Sequence, residues 1–241
     1  MKDDGLNPGI RGGTEGESTV VVNQAGTHDL TRSVTVDGAV GIVADVAALR
    51  AHYAPPVERA VKKQLAALDV HCRRFIGLSP FLVISSAGAG GKLDASPRGG
   101  DAGFVKVPDA HTLLIPDSPG NNRLDTMSNI LETGRVGLLF LIPGIDETLR
   151  VNGTAELSDD PQLLEVAREE RRLPKLVIRI GVEEAYLHCA KALMRSRLWE
   201  PETQVERTVL PSMGQMIRDQ SGMEALPETQ EQMVARYRHD L

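Results

Sequence analysis

Apolar and polar positions alternate along much of the chain after residue 80. Between residues 80 and 117, Gly-Gly and Pro-Asp clusters divide the alternation into four short strand patterns, which predict an antiparallel meander. The segment 135–144, RVGLLFLIPG, is almost wholly apolar and predicts a strand covered on both faces. Residues 147–157 alternate again, and residues 175–188 supply a last strand pattern. Together these strands predict a closed barrel.

Apolar residues with helical spacing predict helices before and after these strands. One helix extends from Pro56 to Gly77, and another begins in the segment 158–161. Two more helices are predicted around Pro227, in the tail that follows residue 208. The first of these helices places its apolar residues on one face, which comprises Val57, Val61, Leu65, Leu68, Cys72, Phe75 and Ile76.

The composition narrows the class of protein. A chain of 241 residues with 41% hydrophobic content can bury a sizeable core. Its net charge of -6 argues against a general binder of nucleic acid or of an anionic membrane, since both need a basic face. Cys72 and Cys189 lack metal-ligand spacing, so no metal site is expected, and a reducing, cytoplasmic setting fits them best. The start MKDDGLNPGI does not resemble an export signal, and no apolar run has the length of a membrane span.

The segment 116–130, PDSPGNNRLDTMSNI, joins a turn to a helical pattern. Pro119-Gly120 is a strong turn signal, and Asn121 or Asn122 is the expected N-cap of a helix that ends at Gly134. Free N–H groups at a helix start, two amide side chains and the Arg123 guanidinium favour an anion, phosphate above all. The alternative is that the asparagines only cap the helix and Arg123 is solvated.

Four segments taken together resemble a known family. They are FLVISSAGAGGKLDASPRGG, TLLIPDSPGNNRLDTMSNILETGRVGLLFLIPG, TLRVNGTAEL and HCAKALMRSRLW. Their order and spacing are similar to those of the FMN-binding split-barrel proteins of the pyridoxamine 5'-phosphate oxidase-like family, closest to a bacterial branch with PRG, PGNxRLD and CxKAxxRSxLW motifs. The resemblance covers about residues 45–200. It implies an α+β fold, a mostly antiparallel six-stranded split β-barrel with flanking helices.

The resemblance also implies an organisation in three parts. Residues 45–205 form the FMN-binding split-barrel domain. Residues 1–44 precede it as an N-terminal arm with β-like pieces at 18–24 and 33–43, and residues 206–241 follow it as a C-terminal helical extension. In the family FMN lies in a cleft between the two subunits of a homodimer, so each site here would draw on both chains.

The family pattern assigns cofactor roles to particular residues. Its phosphate-binding residues fall on the PGNNR turn and on Arg98 of the PRG strand. Ser96 and Pro97 would run along the flavin ring, and the backbone of the IPD segment would lie along the ring or the ribityl chain. Thr148 falls where the oxidase has a glutamine near the ring, and the segment 191–199 is expected to reach the site from the partner subunit. The implied cofactor-binding residues are Ser96, Pro97, Arg98, Gly99, Ile115, Pro116, Asp117, Asn121, Asn122, Arg123, Thr148, Lys191, Arg195, Ser196 and Trp199.

Each of the partner-side residues also has a simpler interpretation. Lys191 and Arg195 lie four apart, and a cation beside the flavin would stabilise the negative charge of the reduced ring. The alternative for both is an ordinary surface or interface ion pair, and for Trp199 a core or dimer contact. His188 and Cys189 are neighbours on a strand pattern and seldom point the same way, so they are not expected to act as base and nucleophile.

The resemblance therefore implies an FMN-dependent oxidoreductase acting on an unknown small molecule, with no catalytic residue assigned. The substrate motif of the true oxidase is not found in residues 201–241, so oxidation of pyridoxamine phosphate is not implied. A deazaflavin in place of FMN is one alternative. A non-catalytic flavin carrier, or a haem protein that uses His111 or His188, is another.

Overall fold

The computed structural model describes residues 41–170, 172–222 and 227–238, together with the backbone of two strands at 17–21 and 33–37. The chain forms two compact units, residues 1–56 and 57–241. The predicted domain boundaries at 44/45 and 205/206 stay predictions. In the first unit, strand β1 (Glu17–Val21) pairs antiparallel with β2 (Ser33–Asp37), as the β-like pieces predicted, and helix α1 (Val46–Ala51) is capped by Asp45.

The second unit is built on one antiparallel sheet of six strands. Its order is β4-β3-β6-β7-β8-β5, so β4 and β5 are its edge strands. The sheet curls into a half-barrel with flanking helices, which confirms the predicted split barrel; the ring is open between the edge strands rather than closed. The strands are β3 (Phe81–Ala87), β4 (Leu93–Gly99), β5 (Thr112–Pro116), β6 (Arg135–Ile142), β7 (Ile145–Ser158) and β8 (Val177–His188).

Helices cover the sheet and extend beyond it. None of the helices in the described ranges is long and apolar enough to cross a membrane. Gly134 ends α4 in the left-handed conformation, as predicted, and two helices flank Pro227. The helices of this unit are α2 (Glu58–Lys62), α3 (Val70–Leu78), α4 (Asp125–Thr133), α5 (Pro161–Val166), α6 (Lys191–Ser196), α7 (Met213–Ser221) and α8 (Gln230–Tyr237).

The predicted single helix from Pro56 to Gly77 is wrong. Its residues form α2 and α3, and Leu65 between them pairs its backbone with Ala185 of β8. Asp69 starts the second helix afresh, because its carboxylate accepts from the Cys72 N–H at 2.8 Å. A sheet contact far along the chain therefore overrides local helical spacing.

Two strand predictions also need correction. Residues 80–117 contain three strands rather than four, and the pattern around Val105 forms only an isolated bridge between Lys106 and Leu114. In β6, Val136, Leu138 and Phe140 face the core, whereas Leu139 and Leu141 on the opposite face are only half-buried in one chain. The expected cover on both faces of this strand is thus not supplied within the described chain.

Candidate functional site

A cavity of about 350 Å³ opens between the edge strand β4 and the turn that precedes α4. Asp94, Ser96 and Arg98 form one wall, because alternate residues of a strand share a face. Asp117, directly after β5, and residues 120–127 complete the lining. The turn that the sequence marks as an anion site therefore faces Arg98 across one cavity.

The backbone of this turn is unusual. Leu124 occupies the N-cap position of α4 with φ 56°, and no side chain caps the helix, so the prediction of an asparagine N-cap is wrong. Asn121 instead accepts from the Arg123 N–H at 3.0 Å, and Asn122 is left-handed at φ 58°. Asparagine tolerates that region, but a leucine there costs about 1–2 kcal/mol. Such strain concentrates at functional sites, and the uncapped helix start leaves N–H groups available to a ligand.

Arg123 is held by a carboxylate at the start of α4. Its Nε donates to Asp125 Oδ2 at 2.8 Å, and Lys92 Nζ donates to the other oxygen of the same carboxylate at 3.0 Å. These hydrogen bonds, that from Arg123 first, lower the pKa of Asp125 from its ordinary value. Both cations are exposed, so the pairs are weak and can exchange for a bound anion.

Arg98 on β4 is held by a short hydrogen-bond network that includes Thr126 of α4. Its Nη2 donates to Thr126 Oγ1 at 3.3 Å, and that hydroxyl in turn donates to Asp94. Ser96 also donates to Asp94, at 2.9 and 3.0 Å to its two oxygens. The hydroxyl hydrogen of Ser96 is therefore already used, whereas Arg98 keeps further N–H donors for the cavity.

Asp117 combines a half-buried carboxyl with a fixed backbone. Its N–H donates to Leu176 O at 2.9 Å, and its backbone oxygen accepts from Arg172 Nη2 at 3.2 Å. Burial raises the pKa of the Asp117 carboxyl, and the nearby charges of Arg98, Arg172 and Lys175 offset part of that rise. The cavity is thus lined by two guanidinium groups and three carboxyl groups. Asp94 and Asp125 already have hydrogen-bond partners, and burial makes Asp117 harder to ionise.

The other predicted cofactor residues lie outside this cavity. Pro97 and Gly99 are exposed on the opposite face of β4, and Ile115 and Pro116 of β5 are buried. Thr148 lies on β7, paired with His188 of β8. The last four predicted residues lie in the segment that follows β8. Lys191, Arg195 and Ser196 are exposed, and Trp199 Nε1 donates to Ile145 O at 3.0 Å.

The geometry gives little support to a haem ligand or to a His–Cys pair. His111 is exposed before β5, and His188 is half-buried at the end of β8. Neither histidine lines the cavity between β4 and α4. Cys189 is exposed beyond His188.

Three residues with carboxyl or hydroxyl groups line the cavity but were not predicted as site residues. Asp94 precedes Ser96 by two positions, so strand alternation alone would have placed both on one face. Asp125 and Thr126 lie in the first turn of α4, directly after the predicted turn, but their bonds to Arg123 and Arg98 depend on how that helix packs over β4.

The sequence profile of the family described as pyridoxamine 5'-phosphate oxidase matches residues 68–189, which is half of the chain. The chain belongs to this family. The match lies within the predicted segment 45–200 and includes β3 to β8, the turn before α4 and the PRG strand. The family resemblance stated from the four motifs is therefore confirmed.

The solved structures that this chain resembles are distant in sequence. HupZ from Group A Streptococcus is 18% identical, with 50% of this chain and 93% of that chain covered and a TM-score of 0.42. A candidate pyridoxamine 5'-phosphate oxidase from Lactobacillus delbrueckii is 21% identical, with 52% and 98% covered and a TM-score of 0.41. The FAD binding protein from Mycobacterium smegmatis is 14% identical, with 52% and 97% covered and a TM-score of 0.37. No curated protein matches the sequence significantly.

Proposed function

We propose that this protein binds FMN, with the phosphate held between Arg98 and Arg123, and acts as an oxidoreductase on a small molecule. One observation carries the proposal: two guanidinium groups from separate elements, β4 and the turn before α4, line the same cavity. Planar guanidinium groups match phosphate oxygens in pairs of hydrogen bonds, so this arrangement suits a phosphate monoester better than a neutral ligand.

The donor set fits such a group. Amide side chains of Asn121 and Asn122 and the uncapped start of α4 add neutral donors to the two arginines. The carboxylate of Asp94 is held by the hydroxyls of Ser96 and Thr126, so it is turned to partners within the wall. An incoming phosphate needs to displace the half-buried Asp125 carboxylate from Arg123, and this costs little because the guanidinium itself is exposed to solvent.

When bound, FMN supplies the capacity to accept and return a hydride. The residues of this chain orient it: Arg98 is held by its hydrogen bond to Thr126 on the start of α4, so its guanidinium stays directed at the cavity. Lys191 and Arg195, from the family motif, are the cations proposed to stabilise negative charge on the reduced ring.

A homodimer would complete this site. Lys191 and Arg195 are exposed and do not line the cavity of their own chain, so we propose that they contact the cofactor bound by the partner subunit. The outward face of β3 and β6 supports such a contact, since Phe81 is 37% exposed and Leu139 and Leu141 are half-buried. Apolar side chains of this kind are typical of a covered interface.

The test compares FMN with riboflavin, which lacks the phosphate. Purified protein is examined for a yellow absorption band, the mass of any released cofactor is measured, and both ligands are titrated by fluorescence. We expect FMN to bind much more tightly than riboflavin, and Arg98→Ala and Arg123→Ala to weaken FMN roughly ten- to a hundredfold without changing riboflavin binding. Arg179→Ala, at an exposed β8 arginine paired with Glu156, is the matched control. Equal affinity for both ligands would contradict the phosphate grip.

Activity requires a separate measurement. Reduction of the bound cofactor by NADPH, followed by a screen for small molecules that reoxidise or bleach it, tests the oxidoreductase part of the proposal. A protein that holds FMN but shows no exchange of electrons with any of them would be a flavin carrier instead. A deazaflavin in place of FMN would be recognised from the mass of the released cofactor.

A further inference from the structure

A second group of cations lies on the outward face of β7 and β8. Arg150 of β7 is paired in register with Tyr186 of β8, and Lys63 follows α2 on the same side. The Lys63 ammonium lies 5.6 Å from the centre of the Tyr186 ring, and the Arg150 guanidinium carbon lies 5.7 Å from it. We call these three residues the Tyr186 cluster.

The two cations of the Tyr186 cluster lack acidic partners. Within the described ranges, neither Lys63 nor Arg150 has a carboxylate within ion-pair distance. Glu184, two residues before Tyr186, is held instead by Gln64 at 2.7 Å and Asn152 at 3.1 Å. Two cations that converge on one ring without a counter-ion are unexpected in a chain of net charge -6.

The hydrogen-bond inventory of the cluster contains an excess of donors. Arg150 donates to the Tyr186 hydroxyl at 3.1 Å, so that hydroxyl keeps its own hydrogen to donate elsewhere. Lys63 donates to the backbone oxygen of Leu187 and keeps its other N–H groups. Three groups that each keep a hydrogen to donate, two of them cationic, match an anion.

The neighbouring His188 also lies in this positively charged environment. The ring of His188 lies 5.0 Å from that of Tyr186, and its Nε2 is buried with no hydrogen-bond partner in the described structure. Burial, followed by the positive charges of Arg150 and Lys63, holds the pKa of His188 below its ordinary value. Burial is the main cause of the lowered pKa, and the two cations of the cluster add to it.

We propose that the Tyr186 cluster is a second anion site, which binds the carboxylate or phosphate group of a small molecule through Lys63, Arg150 and the Tyr186 hydroxyl. It is separate from the cavity at Arg98 and Arg123. That cavity is lined by the edge strand β4, whereas the cluster lies on β7 and β8, on the other side of β3 and β6 in the sheet. The proposal does not depend on FMN binding.

The test follows the His188 ring proton by NMR in the full-length protein, with His188→Gln to identify the signal. Inorganic phosphate and sodium acetate are titrated separately at constant pH and ionic strength, so that the two arms distinguish a phosphate from a carboxylate site. We expect a saturable shift with at least one of them. Lys63→Gln and Arg150→Gln should each weaken it about tenfold or more, because each removes a charge-assisted hydrogen bond.

Three controls make the result specific. Lys62→Gln, which removes the neighbouring exposed lysine paired with Glu58, should leave the titration unchanged. Arg123→Ala should also leave it unchanged, which separates this site from the FMN cavity. Tyr186→Phe keeps the ring under both cations and should weaken binding by loss of the hydroxyl donor alone.

The proposal is overturned if neither anion gives a saturable shift. It is equally overturned if Lys62→Gln weakens the titration as much as Lys63→Gln, since the effect would then be general surface charge. Loss of the shift in Arg123→Ala would assign the anion to the other cavity. A His188 signal that responds to protein concentration but not to either anion would assign the cluster to a contact between subunits.

Discussion

Arg123 Nε donates to Asp125 Oδ2 at 2.8 Å, across the left-handed Leu124 that precedes α4. The carboxylate also accepts from Lys92, so one acidic side chain occupies two cations at the mouth of the cavity. Asp125 is therefore an internal competitor for the phosphate that we propose to bind at Arg123. Removing its charge should make both cations available.

We expect Asp125→Asn to tighten FMN binding severalfold, because the phosphate no longer competes with an internal carboxylate for Arg123. The gain is modest since exposed ion pairs are weak. A fluorescence titration measures it, and Glu156→Gln, which removes an exposed carboxylate paired with Arg179, is the control. Weaker binding in Asp125→Asn would mean that the carboxylate positions Arg123 for the ligand rather than competing with it.

Thr126 links the two walls of the cavity, and it is only 2% exposed. Thr126→Val keeps the shape but removes the donor to Asp94 and the acceptor for Arg98. We expect a loss of about 1–3 kcal/mol in the free energy of unfolding, from polar groups left without partners, and weaker FMN binding through a looser Arg98. Denaturant unfolding measures the first effect. Thr126→Ser keeps the hydroxyl and should lose much less; equal losses in the two variants would show that the hydroxyl contributes nothing.

Much of the sheet could be predicted because its signals are local. Alternation and turn residues mark β3, β4, β7 and β8 without reference to the rest of the chain. The helix across Leu65 failed for the opposite reason: its backbone pairs with Ala185, and no local pattern carries that contact. The left-handed Leu124 is likewise invisible to propensity, since leucine avoids that conformation in isolation.

The candidate site divides in the same way. Arg98 and Arg123 could be predicted because each lies in a short motif beside a strand or turn signal, and the structure brings both to one cavity. Alternation could also have placed Asp94 beside Ser96, but the bond between Asp94 and Thr126 could not be predicted, because it exists only once α4 packs over β4. Whether Lys191 and Arg195 belong to the site stays a prediction, since it depends on a second chain.

The stability of the protein should depend on pH through Asp117. Burial raises the pKa of this carboxyl in the folded state above its ordinary value of 3.8, so the folded state binds the proton more tightly than the unfolded state. Its contribution to stability is therefore lost as the pH rises from about the ordinary value through the raised one. Relative to the parent, Asp117→Asn should gain stability across that window and keep a constant gain above it.

Asp109 supplies a control of opposite sign. The backbone N–H of His111 donates to this carboxylate and lowers its pKa, so its ionised form stabilises the fold at neutral pH. Asp109→Asn should therefore lose stability relative to the parent as the pH rises, where Asp117→Asn gains it. Urea unfolding at a series of pH values measures both. Parallel curves for Asp117→Asn and the parent would contradict the effect of burial.

The shared site predicts complementation between two defective chains. Arg123 lies at the cavity of one subunit, and we propose that Arg195 of α6 reaches the cofactor of the other across an isologous two-fold interface. Arg123→Ala and Arg195→Ala chains, each with a different tag, are co-expressed, and the heterodimer is purified through both tags. If the residues meet across subunits, one of its two sites carries both lesions and the other is intact.

We therefore expect this heterodimer to hold FMN at one site with the affinity of the parent, whereas each mutant homodimer binds weakly at both sites. If Arg195 instead serves the cofactor of its own chain, each site of the heterodimer carries a single lesion, and its FMN content stays at the level of the homodimers. Light scattering provides the independent check of assembly. A monomer with full FMN occupancy would contradict the shared site, because one chain would then bind FMN without Lys191 or Arg195 of a partner.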